Sequence, residues 1–168
     1  MGSTQLTDAA LARLAGRVGR RMLKLNLRVA TAESCTGGWI AKALTDIPGS
    51  SGWFEEGVVT YGNTAKQRRL GVRRGLLEAG GAVSEATVRA MARGLLSRSA
   101  ASVAVAVSGI AGPGGAVPGK AVGTVWLCWA RRRARGVSVV TELHQFRGNR
   151  EAVRRKTVRR ALQGLCRS

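Results

Sequence analysis

The residues best suited to chemistry fall in three short blocks. The first is Thr31-Ala-Glu-Ser-Cys-Thr-Gly-Gly38, which follows the apolar run Leu27 to Ala32 and precedes a helical pattern beginning near Gly37. A strand, a tight turn and a helix start in that order carry Ser34 past the end of a sheet, beside the unpaired N–H groups of a first helical turn. Ser34 reads there as a nucleophile or anion-binding hydroxyl, or else as an N-cap, a role equally open to Thr36. The second block is Gly57-Val-Val-Thr-Tyr61, a β-branched strand pattern, followed by Asn63 as a cap and Lys66 about one turn into a short helix. Tyr61 at the strand terminus and Lys66 in the helix can then reach a common site, although a lysine on such a helix is more often simply solvated. The third is Ser108-Gly-Ile-Ala-Gly-Pro-Gly-Gly115, whose backbone N–H groups a phosphate or carboxylate can approach closely. It matches neither the Walker loop nor the dinucleotide fingerprint, and a flexible strand connection fits its spacing as well.

The supply of possible bases narrows the chemistry. His144 is the only histidine and lies mid-strand in Leu-His-Gln-Phe, away from any glycine turn, so it reads as an outward strand residue and a Ser-His-Asp triad is not indicated. Lysine replaces histidine in some serine hydrolases, provided that desolvation or neighbouring positive charge lowers its pKa. The cysteines Cys35, Cys128 and Cys166 are odd in number and lack metal-like spacing, which argues against a disulfide framework and a zinc site. Cys35 sits where a helix N-terminus would acidify a thiol, or where a small filler is needed at a crowded turn.

The elements that must hold these residues alternate in type. A helix from Asp8 to Leu25 carries Leu11, Leu14, Val18, Met22 and Leu25 on one face, with Thr7 as N-cap and Asn26 as its end. A strand through Arg28–Ala32, a helix from Gly37 to about Asp46, the Pro48-Gly-Ser-Ser51 break and the second strand follow. A small helical piece spans Arg74 to Ala79, and Ser84 caps a helix over Glu85–Ser97. Ser102-Val-Ala-Val-Ala-Val-Ser108 suits a central strand buried on both faces. Ala121–Ala130 and Val137–Phe146 form an antiparallel edge hairpin around the basic turn Arg131–Gly136, and Asn149 caps a last helix whose inner face is Val153, Thr157, Ala161, Leu162 and Leu165. The pattern predicts an α/β fold, three-layer α/β/α, with a mixed and largely parallel sheet.

With 168 residues, 45% of them hydrophobic, the chain fits one domain spanning 1–168. Met1-Gly-Ser-Thr-Gln leads into the first helical pattern without a signal segment, and no membrane-length apolar run exists, so a cytoplasmic location without membrane contact is expected. A net charge of +19 implies anionic partners. The arginines are spread over several segments, including Arg13, Arg17, Arg20 and Arg21 on the first helix and Arg154, Arg155, Arg159 and Arg160 on the last, which reads as solvated faces. Aromatics at 4% supply little for stacking on single strands, so a phosphorylated small molecule is favoured over nucleic acid.

These blocks, together with Gly81-Ala-Val-Ser-Glu85, Lys120 to Val125 and Phe146-Arg-Gly-Asn-Arg150, resemble the CinA C-terminal domain family over about residues 6–165. Stand-alone members of that family act as nicotinamide-nucleotide amidases. The resemblance implies that Ser34 attacks the carboxamide of nicotinamide mononucleotide, that Lys66 moves the proton and that Tyr61 assists or orients them. N–H groups near Cys35 and Thr36 become the oxyanion hole, with Gly37 beside them in the substrate site. Ser108, Gly109, Ala111 and Gly112 line the nucleotide site, and Arg150 receives the phosphate. No metal or organic cofactor is implied, and a homodimer or larger homo-oligomer is. Where the family often has Ser-Asn-Glu-Ala-Lys this chain has Gly62-Asn-Thr-Ala-Lys66, so no carboxylate stands at Thr64. The alternative is a non-catalytic nucleotide- or nucleic-acid-binding protein of the same fold.

Overall fold

The computed structural model describes residues 6–168; the reading of Met1–Gln5 as a leader into the first helix lies outside them. In chain order the elements are α1 (Asp8–Leu25), β1 (Val29–Glu33), α2 (Trp39–Thr45), a short 3-10 turn (Ser50–Gly52), β2 (Phe54–Val59), α3 (Asn63–Leu70), α4 (Arg74–Gly80), α5 (Glu85–Arg98), β3 (Val103–Gly109), β4 (Thr124–Arg132), β5 (Val137–Gln145) and α6 (Arg150–Leu165). The sheet order is β2-β1-β3-β4-β5. β2, β1 and β3 run parallel, and the β4–β5 hairpin adds antiparallel at one edge. The α/β fold class is therefore the one expected.

Composition sorts the two faces of the sheet. On β3, Val103, Val105 and Val107 point toward one core with α1, α2 and α6, whereas Ala104 and Ala106 point toward a second core with Leu70 of α3, Leu77 of α4 and the α5 stripe Val88, Met91, Ala92 and Leu95. Alternation of large and small side chains on a strand buried on both sides lets α5 lie close while α1 and α6 sit further out. The caps follow the local rules: the side chains of Thr7, Ser84 and Asn149 accept from Ala10, Thr87 and Ala152 N–H respectively.

Several boundaries differ from expectation. The second strand starts at Phe54 and ends at Val59, because Val29 N–H donates to Trp53 C=O and the β1 register begins at Phe54; Tyr61 therefore lies beyond the strand. Asn63 is the first residue of α3, whose N-cap Gly62 makes no side-chain bond. α2 starts at Trp39 after two left-handed glycines, Gly37 (φ 61°) and Gly38 (φ 94°), a backbone that side chains with a Cβ resist. Arg131 and Arg132 belong to β4, so the hairpin turn is shorter than the basic run.

Candidate active site

Ser34 follows β1 directly, and its N–H donates to Val107 C=O at 3.1 Å, pinning the turn to the neighbouring β3. The side chain is nearly covered, at 8% exposure. Lys66, one turn into α3, is fully buried at 0% and places Nζ 3.2 Å from Ser34 Oγ. Nζ also lies 2.9 Å from Thr60 C=O and 3.0 Å from Tyr61 C=O. Two carbonyl acceptors and one hydroxyl are the complement of a neutral amine, which has two hydrogens to give and one lone pair to receive the serine proton. Burial lowers the Lys66 pKa from its ordinary 10.5, against a smaller opposing influence from Cys35. Ser34 and Lys66 thus form a buried hydroxyl–amine pair.

Tyr61 enters this arrangement differently from expectation. Its backbone carbonyl, not its phenol, meets Lys66, and the side chain is 57% exposed. The phenol oxygen accepts from Arg150 Nη2 at 2.9 Å, while Arg150 Nη1 donates to Gly112 C=O at 2.8 Å. Arg150 thus spans the segment after β2 and the loop after β3, with further N–H donors left over. Ser108, at the end of β3, is buried. Gly109 owes its small size to the chain itself: a Cβ there would stand 2.6 Å from Val125 Cγ2 and 2.9 Å from Thr124 C=O, so the residue serves packing on β4. The loop is held at its far end by Lys120, whose Nζ donates to Gly80 C=O at 2.6 Å.

Two residues that sequence reasoning passed over fix the turn that carries Ser34. Glu33, fully buried at the end of β1, takes N–H bonds from Gly38 (3.1 Å), Ile40 (3.0 Å) and Ala41 (2.8 Å), and hydroxyl bonds from Thr36 (2.6 Å) and Thr31 (3.2 Å). The first turn of α2 is therefore occupied by the chain's own carboxylate, and neither Ser34 nor Thr36 caps it. The expectation that these helix N–H groups face a ligand is corrected accordingly. The second residue is Arg154, one helical turn beyond Arg150 on the same face of α6. Its Nε donates to Cys35 C=O at 3.1 Å and its Nη2 to Thr36 C=O at 2.9 Å. It is no solvated surface arginine. The signal for Glu33 was a carboxylate in an otherwise apolar strand, which must be paired if buried; the signal for Arg154 was its four-residue spacing from Arg150.

The N–H groups of Cys35 and Thr36 have no acceptor from another described residue, while Gly37 N–H donates to Ser34 C=O at 3.1 Å. Both adjoin Ser34 in the turn that follows β1. Burial pushes the Cys35 thiol up to about 12, so it is a filler and not an acidified nucleophile. Thr60 Oγ1, on the residue whose carbonyl holds Lys66, is the one buried side-chain polar atom without a partner among the described residues. His144 stacks on Phe146 and meets Glu142 at 2.8 Å, apart from this site.

Known proteins share this arrangement's sequence and fold. The CinA C-terminal domain model matches residues 11–168. The nicotinamide-nucleotide amidohydrolase PncC of Pseudomonas putida is 55% identical over 90% of this chain and 92% of its own, and its Escherichia coli K12 counterpart is 49% identical over 95% of both. The crystal structure of competence/damage inducible protein CihA from Agrobacterium tumefaciens superposes with a TM-score of 0.89 at 46% identity, covering 95% of this chain and 94% of that one. With the family model matching nearly the whole chain and relatives of this identity spanning most of it, the protein belongs to the CinA C-terminal domain family.

Proposed function

We propose that the protein hydrolyses the carboxamide of nicotinamide mononucleotide to nicotinate mononucleotide and ammonia, with Ser34 as nucleophile and Lys66 as base. The observation that carries the mechanism is the buried Ser34–Lys66 contact with its two carbonyl acceptors. The substrate class rests on the relatives named as nicotinamide-nucleotide amidohydrolases at 49–55% identity.

Ser34 Oγ attacks the carboxamide carbon while its proton passes to Lys66 Nζ. The carbonyl π pair moves to oxygen, and the oxyanion is met by the free N–H groups of Cys35 and Thr36. The tetrahedral intermediate collapses, the C–N bond breaks, and Lys66 returns the proton to the departing ammonia. Lys66 next takes a proton from water, whose oxygen attacks the acyl carbon; the proton then goes back to Ser34 as the acid leaves. Arg154 acts through the Cys35–Thr36 peptide: by holding the Cys35 carbonyl it orients the Thr36 N–H on the opposite side of the same peptide plane, and its second bond, to Thr36 C=O, fixes the next peptide of the turn. Arg150, braced by Gly112 and Tyr61, is the phosphate ligand, with Ser108 and the Gly109–Gly112 loop beside it. Incubation of purified protein with nicotinamide mononucleotide should release ammonia and nicotinate mononucleotide in equal amounts. Absence of both products across a wide range of pH and substrate concentration would overturn the assignment.

A further inference from the structure

The end of the sheet opposite Ser34 carries a feature that the amidase chemistry does not use. Ser34 is level with Val107 of β3, whereas Arg131 pairs with Val103 at the start of that strand, about 13 Å away along the chain direction. There, between the β4–β5 hairpin and the C-terminal half of α6, lies a cleft of about 170 Å³. Its floor is apolar: Trp129, Ala130 and Gly164 are buried, and Val140 forms one wall. Its rim is cationic, with Arg131, Arg133 and Arg167 converging from the hairpin and from the segment after α6.

No side-chain carboxylate among the described residues pairs with these three rim arginines; the main-chain oxygen of Ser168, which also lines the cleft, accepts from Arg21 Nε at 2.8 Å. Among the described residues, neither the Arg131 nor the Arg167 guanidinium has a hydrogen-bond or ion-pair partner, and Arg133 meets only the Ser138 hydroxyl, at 3.0 Å. Residues 1–5 contain no carboxylate. The single acidic side chain in the cleft, Glu142, is already taken by Arg160 and His144, which hold its carboxyl down to about 2. Arg131 is pushed away from its charged form by burial and then by Arg133 and Arg21. Like charges gathered at a partly apolar cleft cost free energy that a bound anion relieves.

We infer that this cleft is a second ligand site, taking a phosphate monoester with an apolar body, of mononucleotide class, with its phosphate among Arg131, Arg133 and Arg167. The cleft volume matches a phosphate and its attached sugar, and the apolar floor distinguishes it from a site for a bare inorganic ion. Guanidiniums are suited to phosphate through paired N–H donors.

The test uses adenosine monophosphate, pyrophosphate, inorganic phosphate and a short DNA duplex as probes on the wild-type protein. Binding is read from the indole N–H resonance of Trp129, whose Nε1 donates to Ala161 C=O at 3.0 Å at the cleft floor. Adenosine monophosphate should shift this resonance, equally in the Ser34→Ala variant. The paired substitution Arg131→Gln and Arg167→Gln should weaken binding roughly tenfold or more, while Arg68→Gln with Arg93→Gln, an equal loss of charge on the opposite helical layer, should leave it unchanged. Folding is not at stake, because neither substituted cleft guanidinium bonds another described residue. An unmoved Trp129 resonance, equal weakening in both paired variants, or binding of the duplex without the mononucleotide would each overturn the proposal. Ammonia release, assayed on the same Arg131/Arg167 variant, should match wild type, so failure of this site is separable from failure of the amidase assignment.

Discussion

In the proposed reaction a serine and a lysine can act as a pair because of what surrounds the lysine. Among the described residues, the hydrogen-bond partners of Lys66 are two main-chain carbonyls and Ser34 Oγ, with no carboxylate. A buried amine so placed is favoured in the neutral form at a pH where an exposed lysine is charged. Because its folded pKa lies below the ordinary 10.5, kcat/KM should rise with pH through the Lys66 pKa and level off before that value. The same shift makes a stability prediction. The unfolded chain binds the lysine proton more readily, so Lys66 makes the fold more stable as pH rises across the window between its lowered pKa and 10.5, as urea titrations at several pH values would show. A rate profile flat through neutral and alkaline pH would contradict the neutral-amine reading.

At the scale of elements, the turn between β1 and α2 is clamped from two sides. Glu33 satisfies the first turn of α2 from within, and Arg154 of α6 grips the Cys35 and Thr36 carbonyls from outside. Glu33→Ala strands several buried donors at once and should destabilise the fold by about 3 kcal/mol or more in denaturant titrations. Arg154→Gln removes the outer clamp without touching substrate; it should lower kcat by roughly tenfold to a hundredfold with a smaller change in KM, the mark of lost positioning. This clamp is also where sequence reading stopped short. Thr7, Ser84 and Asn149 could be recognised as caps because capping is local, three residues from donor to acceptor. Glu33 looked like part of a motif and Arg154 like one more surface arginine, because their partners lie in other elements: 119 residues separate Arg154 from Cys35. The same limit moved β2. Its limits are set by pairing with β1, including a register shift between Val29 and Ala30, and not by its own β-branched run.

On the whole-molecule scale, the sheet divides labour between its ends. The C-terminal ends of β1, β2 and β3 gather Ser34, Tyr61 with Lys66, and Ser108 with its glycine loop, which follows from three parallel strands ending on one side. The N-terminal end of α6 reaches that side with Arg150 and Arg154. Alternating strand and helix patterns made this architecture readable from the sequence, as did the Val/Ala alternation of the central strand. The +19 charge was readable as a number but not as a map; only folding shows that Arg154 holds the turn after Ser34 while Arg131 and Arg167 line a cleft at the opposite end. That a serine nucleophile is served by a buried lysine is best tested by ammonia release from nicotinamide mononucleotide in wild type, Ser34→Ala and Lys66→Ala, each checked for native circular dichroism. The prediction is turnover by wild type and a loss of roughly a thousandfold or more in each folded variant; a folded Ser34→Ala protein that releases ammonia at the wild-type rate would contradict it.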